Sequence, residues 1–96
     1  MSYELIGKYV LVHLYDRSGA MLGTVRGRVA DISPDVEVAP GMKKDLAYVV
    51  DIETGATDEE GAPVPYRNST GGENESWFAV QDLEVIEEDT PRFFAN

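Results

Sequence analysis

His13 is the only histidine in the chain, and cysteine is absent. Most nucleophile–base relays, and metal centres built from thiolates and imidazoles, are therefore ruled out. A lone histidine on an apolar-patterned strand is far more often structural or solvent-facing than catalytic. Asp58-Glu59-Glu60 offers the oxygen ligands that Ca²⁺ prefers, but without the alternating ligands and downstream glutamate of an EF-hand loop. Its expected role is a solvated acidic loop. Asn68-Ser69-Thr70 and Asn74-Glu75-Ser76 match the glycosylation sequon; with no secretory leader visible, coincidence is the expected reading. Gly19 and Gly23 have GxxxG spacing but no apolar 20-residue setting. No catalytic residue, cofactor or metal is expected, and the chain reads as a non-enzyme.

Binding chemistry is better represented. Tyr9, Tyr15 and Trp77 could line a groove for a base, a proline-rich peptide or a methylated lysine, although such residues more often pack a sheet face. Arg26 and Arg28 form a small basic patch, expected to pair with neighbouring carboxylates because a nucleic-acid surface needs more cations. Eighteen acidic residues oppose eight basic ones, a formal charge of -10. Neutralising phosphates calls for the opposite sign, so weak or no nucleic-acid binding is expected. Solubility is the ordinary consequence of such charge; imitation of nucleic acid is the sharper one. Phe93 and Phe94, behind the acidic run and Pro91, are expected to dock onto the body of the protein or a neighbour.

These residues need elements to hold them. The 96 residues fit one domain, here 1–89, with a tail over 90–96. Residues 9–15 read as a strand, with Val10, Val12 and Leu14 on one face and Tyr9, Leu11, His13 and Tyr15 on the other. Asp16 and Gly19 supply turn chemistry. A second strand is expected over 20–32, with Val25 and Val29 on one face and Thr24, Arg26 and Arg28 opposite. Gly23 and Gly27 there suggest tight bends or close backbone approach. Residues 33–45 read mainly as loop, with Val36 to Val38 able to pair briefly. Residues 46–53 are the third strand. Residues 54–76, polar and carrying Pro63 and Pro65, are expected to be a long mobile acidic loop. Residues 77–80 and 83–86 are strands joined at Gln81-Asp82 by a single tight turn. No internal repeat or α-helix is expected. The fold class is all-β: one strongly bent antiparallel barrel of five strands.

With the strands placed, Gly7-Lys8, the alternating residues to Leu14 and then Asp16 resemble the first strand of Sm-like proteins. Gly23-Thr24-Val25-Arg26-Gly27 continues the likeness on the second strand. Phe78-Ala79-Val80-Gln81-Asp82-Leu83-Glu84-Val85-Ile86 is similar in spacing to that family's last two strands. The resemblance implies an SH3/Sm-type barrel and ring assembly through the fourth strand of one copy and the fifth of the next. Here that would place Trp77, Phe78, Val80, Leu83, Val85 and Ile86 at the interface between copies.

The family's RNA site departs from its pattern. The positions after the second strand read Asp31, Ile32 and Ser33, without the base-reading asparagine. The Arg-Gly pair between the last strands is replaced by Gln81 and Asp82. A vestigial site follows, and the resemblance implies a homo-oligomeric binding scaffold. The alternatives are a monomeric SH3- or Tudor-type adaptor with a protein partner, or an acidic phage-type inhibitor that mimics nucleic acid. No apolar run approaches the ~20 residues that cross a bilayer. No membrane association is expected, and the location expected is the cytoplasm of a bacterial or phage-infected cell.

Overall fold

The computed structural model describes residues 3–87. Five strands form one antiparallel sheet: β1 (Tyr9–Tyr15), β2 (Met21–Ala39), β3 (Met42–Glu53), β4 (Ser76–Ala79) and β5 (Leu83–Ile86). Two 3-10 turns accompany them, at Tyr3–Leu5 and Val80–Asp82, the first unanticipated by the sequence. No α-helix occurs among the described residues. The phenylalanines 93 and 94, expected to dock, lie outside the described residues.

The strand order is β4-β3-β2-β1-β5. Strands β4 and β5 therefore sit at opposite ends of the sheet although only Val80–Asp82 separates them in the chain. Four inter-strand steps across a flat sheet span ~19 Å. A three-residue link reaches at most about 14 Å. The sheet must bend, and β2 is where it does so. Its first half pairs with β1 (Tyr9 opposite Arg28, Val12 opposite Val25) and its second with β3 (Ile32 opposite Ala47). Between them Gly27 lies against β3. A Cβ there would collide with the Val49 side chain and stand 2.9 Å from the Val50 carbonyl oxygen.

Bulges keep apolar residues inward through the bend. Val25, Gly27 and Val29 alternate onto the core face, a register shift before Asp31 resets the phase, and Ile32 is again inside. A matching shift on β3, with Asp51 at φ 54°, carries the core face from Val49 to Ile52. Val10, Val12, Val25, Val29, Ile32, Ala47, Val49 and Ile52 make the core, with Leu5, Leu14, Tyr66, Phe78, Val80 and Leu83 packed around it.

Two sequence expectations need correcting. Residues 33–45 are the far half of a long β2–β3 hairpin, not mainly loop. Ala39 pairs with Met42 across Pro40-Gly41, and Gly41 has φ 74°. A proline followed by a positive-φ glycine is the composition of a type II turn. Pro34, which cannot donate to a ladder, falls in a register shift between Ser33 and Val36, where no ladder hydrogen bond is required of it. Asp35 beside it, at φ 57°, donates its backbone N–H to the Asp45 carboxylate at 2.9 Å.

The second correction concerns repetition. Residues 54–76, expected to be one mobile loop, are built as two hairpin excursions with bridges at Thr57–Pro63 and Arg67–Glu73. Each is tipped by the same turn that joins β1 to β2. In residues 16–20, 58–62 and 68–72, the first residue's N–H donates to the fifth carbonyl and its carbonyl accepts from the fourth N–H, a glycine. Its side-chain Oδ1 accepts the third and fifth N–H groups at 2.8–3.0 Å. The glycines, Gly19, Gly61 and Gly71, have φ of 83–90°. This is a three-residue hairpin loop with a left-handed glycine, locked by an Asx side chain. The repeat is one of spacing, Asx-x-x-Gly, which a search for similar words passes over.

Candidate functional site

Because the strand order is open, β4 and β5 each keep one edge without a partner strand among the described residues. Both are four residues long. Trp77 on β4 is 44% exposed and Val85 on β5 is 51% exposed. The other residues expected at an interface are placed differently. Phe78 and Leu83 pack against the core, Ile86 is half-buried opposite Tyr9, and Val80 lies in the 3-10 turn rather than in β4, also packed against the core. The edges thus combine residues packed on the core with two exposed apolar side chains, Trp77 on the outer face and Val85 opposite Val10.

The positions expected to be a vestigial RNA site fall on two elements. Asp31, Ile32 and Ser33 are interior residues of β2, paired with Tyr48, Ala47 and Leu46, and Ile32 is only 5% exposed. They are strand, not the loop the resemblance implies, because β2 runs on for six residues beyond Ser33 to Ala39. Gln81 and Asp82 occupy the 3-10 turn between β4 and β5, where Gln81 shares a shallow depression with Lys43, Lys44, Asp45 and Val80.

The arginines and the histidine serve the fold. Arg26 is largely buried, sits 5.1 Å from the centre of the Tyr9 ring and approaches Glu53 at 4.0 Å. Arg28 pairs with Asp51 at 3.2 Å. His13 places Nε2 3.3 Å from Glu84, across β1 and β5, and its Nδ1 is buried without a hydrogen-bond partner. The Asp58 carboxylate is engaged in its own turn, and no group of three His, Cys, Asp or Glu side chains among the described residues is placed to hold a metal. Asn68 of the first sequon donates its amide to the Glu75 carbonyl at 2.6 Å, and Asn74 of the second accepts the Tyr66 N–H at 3.0 Å.

Aromatic side chains meet, though not the three expected to line a groove. Tyr9 lies under Arg26, Tyr15 pairs with Met21 at the end of β1, and two strands, β2 and β3, lie between β1 and β4 in the sheet order. The rings in contact are Tyr66–Phe78, at 5.8 Å and half-buried against the core, and Tyr48–Trp77, at 5.0 Å and 51°. Tyr48 is directly opposite Trp77. Since Ala47 and Val49 face the core, Tyr48 and Trp77 share the outer face. The Tyr48 hydroxyl donates to the Glu75 carboxylate, which raises its pKa above 10.0; burial raises that of Tyr66. Sequence reasoning found Trp77 but missed Tyr48. The signal was available in the alternation of residues 46–50.

A cleft of about 430 Å³ lies at the base of the first excursion, lined by Ile52, Thr54, Val64, Pro65 and Asn74 among others. The Thr54 hydroxyl donates to the Val64 carbonyl across it at 2.8 Å. Among the described residues no helix is long and apolar enough to cross a membrane. No protein-family model, curated protein or solved structure matches the chain.

Proposed function

We propose that this chain is a non-enzymatic, Sm-like protein whose bent sheet closes as an SH3/Sm-type barrel and whose copies join into a homo-oligomeric ring that acts as a binding scaffold. The observation that carries the reading is the strand order: two consecutive strands, β4 and β5, sit at the two ends of the sheet, each with a free edge. An unpaired edge is a template for another strand. When the two free edges of one molecule differ, the natural contact is head-to-tail, β4 to the next copy's β5, and such contacts close into rings where the rotation permits. Val85, exposed beside the β5 edge, supplies apolar area for the contact.

The charge supports a scaffold that has lost its grip on RNA. The sequence carries ten more acids than bases, and where the resemblance calls for a cation it has Gln81 and Asp82. Measuring the native mass by light scattering during gel filtration tests the ring: a closed oligomer of about five to seven copies is expected from the resemblance and head-to-tail closure. A monomer at micromolar concentration overturns it.

A further inference from the structure

The outer face of β3 and β4 carries a feature that ring closure does not use. Leu46, Tyr48 and Val50, the residues of β3 that alternate with the core positions, are only half-buried on a face that ought to be polar if it met water alone. Trp77 stands beside them and is the most exposed ring in contact with another aromatic. Two carboxylates flank the pair: Asp31, exposed and directly across from Tyr48 on β2, and Glu75, which holds the Tyr48 hydroxyl. The third acid nearby, Asp51, is already paired with Arg28. Among the described residues no cation lies over either ring. Lys44, on the same strand, is four residues from Tyr48, or ~13 Å along β3.

Tilted aromatic faces attract cations through their quadrupoles, and adjacent carboxylates add to that attraction. The fold satisfies the same chemistry internally on the opposite flank, where Arg26 covers Tyr9. We propose that the Tyr48–Trp77 face, rimmed by Asp31 and Glu75, docks an extended protein segment bearing lysine or arginine. Its aliphatic stems would cover Leu46 and Val50 while a cationic head rests against the Tyr48 and Trp77 rings, with Asp31 beside Tyr48 on β2 and Glu75 at the Tyr48 hydroxyl. The surplus of acids over the whole chain steers such a partner and repels an acidic one. The proposal needs only the sheet, so its failure leaves the ring reading standing.

The test uses the full chain and two fluorescein-labelled peptides, (Lys-Thr)4 and (Glu-Thr)4, followed by anisotropy, with light scattering reporting the state of assembly. The lysine peptide is expected to bind and the glutamate peptide not. Trp77→Ala, which leaves the charge unchanged, should weaken binding about ten-fold, and Trp77→Phe should restore part of it. Asp31→Asn with Glu75→Gln, both at exposed positions outside the core, should weaken it about five-fold without altering the circular dichroism. Binding that is indifferent to Trp77→Ala reduces the effect to net charge and overturns the proposal. So does dissociation of the oligomer by Trp77→Ala, which would make the occupant a second copy of this chain.

Discussion

Gly27 of β2 lies against Val49 of β3 with no room for a Cβ between them, and the Val50 carbonyl would be 2.9 Å from such an atom. Backbone cannot yield there as a flexible side-chain tip could. Gly27→Ala is therefore expected to cost about 3 kcal/mol, the upper range for overpacking. In a domain of this size that lowers the melting temperature by roughly 12–24 °C. Denaturant unfolding measures it. A loss under 1 kcal/mol would mean that the sheet does not bend through this contact.

Asp58 and Asn68 hold identical turns, one with a carboxylate and one with an amide, so it is the acceptor oxygen and not the charge that matters. Asp58→Asn is expected to leave the first excursion intact. Asp58→Ala should speed amide exchange at Glu60 and Ala62 about three- to ten-fold, the loss of about one modest hydrogen bond at each. Equal exchange in the two variants would remove the side chain from the account of this turn.

Much of the sheet could be read from alternation alone. Val10 and Val12 against Tyr9 and His13, and Val25 and Val29 against Arg28, gave the strands and one buried face, because period-two burial is a property of each strand by itself. Leu11 and Arg26, on the opposite face, are buried as well, which alternation does not show. The bulges were not legible: a residue such as Asp35 or Asp51 is set in the left-handed region by what the partner strand requires. Pro34 read as a loop signal for the same reason, since a proline within a bulge and one within a loop look alike in sequence. Residues 54–76 misled in another way. Composition reported few apolar groups, whereas one of them, Tyr66, packs its ring on Phe78 at the edge of the core and anchors the whole second excursion. At the candidate site, Trp77 could be singled out by type and Tyr48 by alternation, but that the two stand opposite each other is given only by the register.

The Tyr48–Glu75 hydrogen bond sets a sign for alkaline behaviour. The folded chain retains the Tyr48 proton where the unfolded chain releases it near 10.0. The stability this contributes is complete below that pH and is lost as pH rises through the higher folded value. Tyr48 and Tyr66 should both ionise above 10.0 in an absorbance titration. Glu75→Gln should bring one of them forward and leave the other, which is held up by burial. No change on that substitution would show that the carboxylate does not hold the hydroxyl.

Oligo-U binding is expected to be weak or undetectable at physiological salt. Phosphate binding draws its strength from cations that release counterions, and Arg26 and Arg28 are committed to Glu53, Tyr9 and Asp51 within the fold. A fluorescent oligo-U titrated to high protein concentration checks this, and a sub-micromolar affinity would contradict it.

Ring assembly makes a demand that barrel closure within one copy does not. If β5 receives the next copy's β4, a charge at its most exposed apolar position should disrupt pairing while leaving the monomer folded. Val85 is that position: it is half exposed, whereas Leu83 packs on the core. A lysine on an edge strand discourages strand addition because its ammonium must remain hydrated while a neighbour's backbone approaches. Val85→Lys is thus expected to shift the mass toward the monomer with little change in melting temperature. Val12→Ala, which empties a fully buried site, should lower stability by about 2–3 kcal/mol in any state of assembly. An oligomer that survives Val85→Lys unchanged would place the contact between copies somewhere other than this edge.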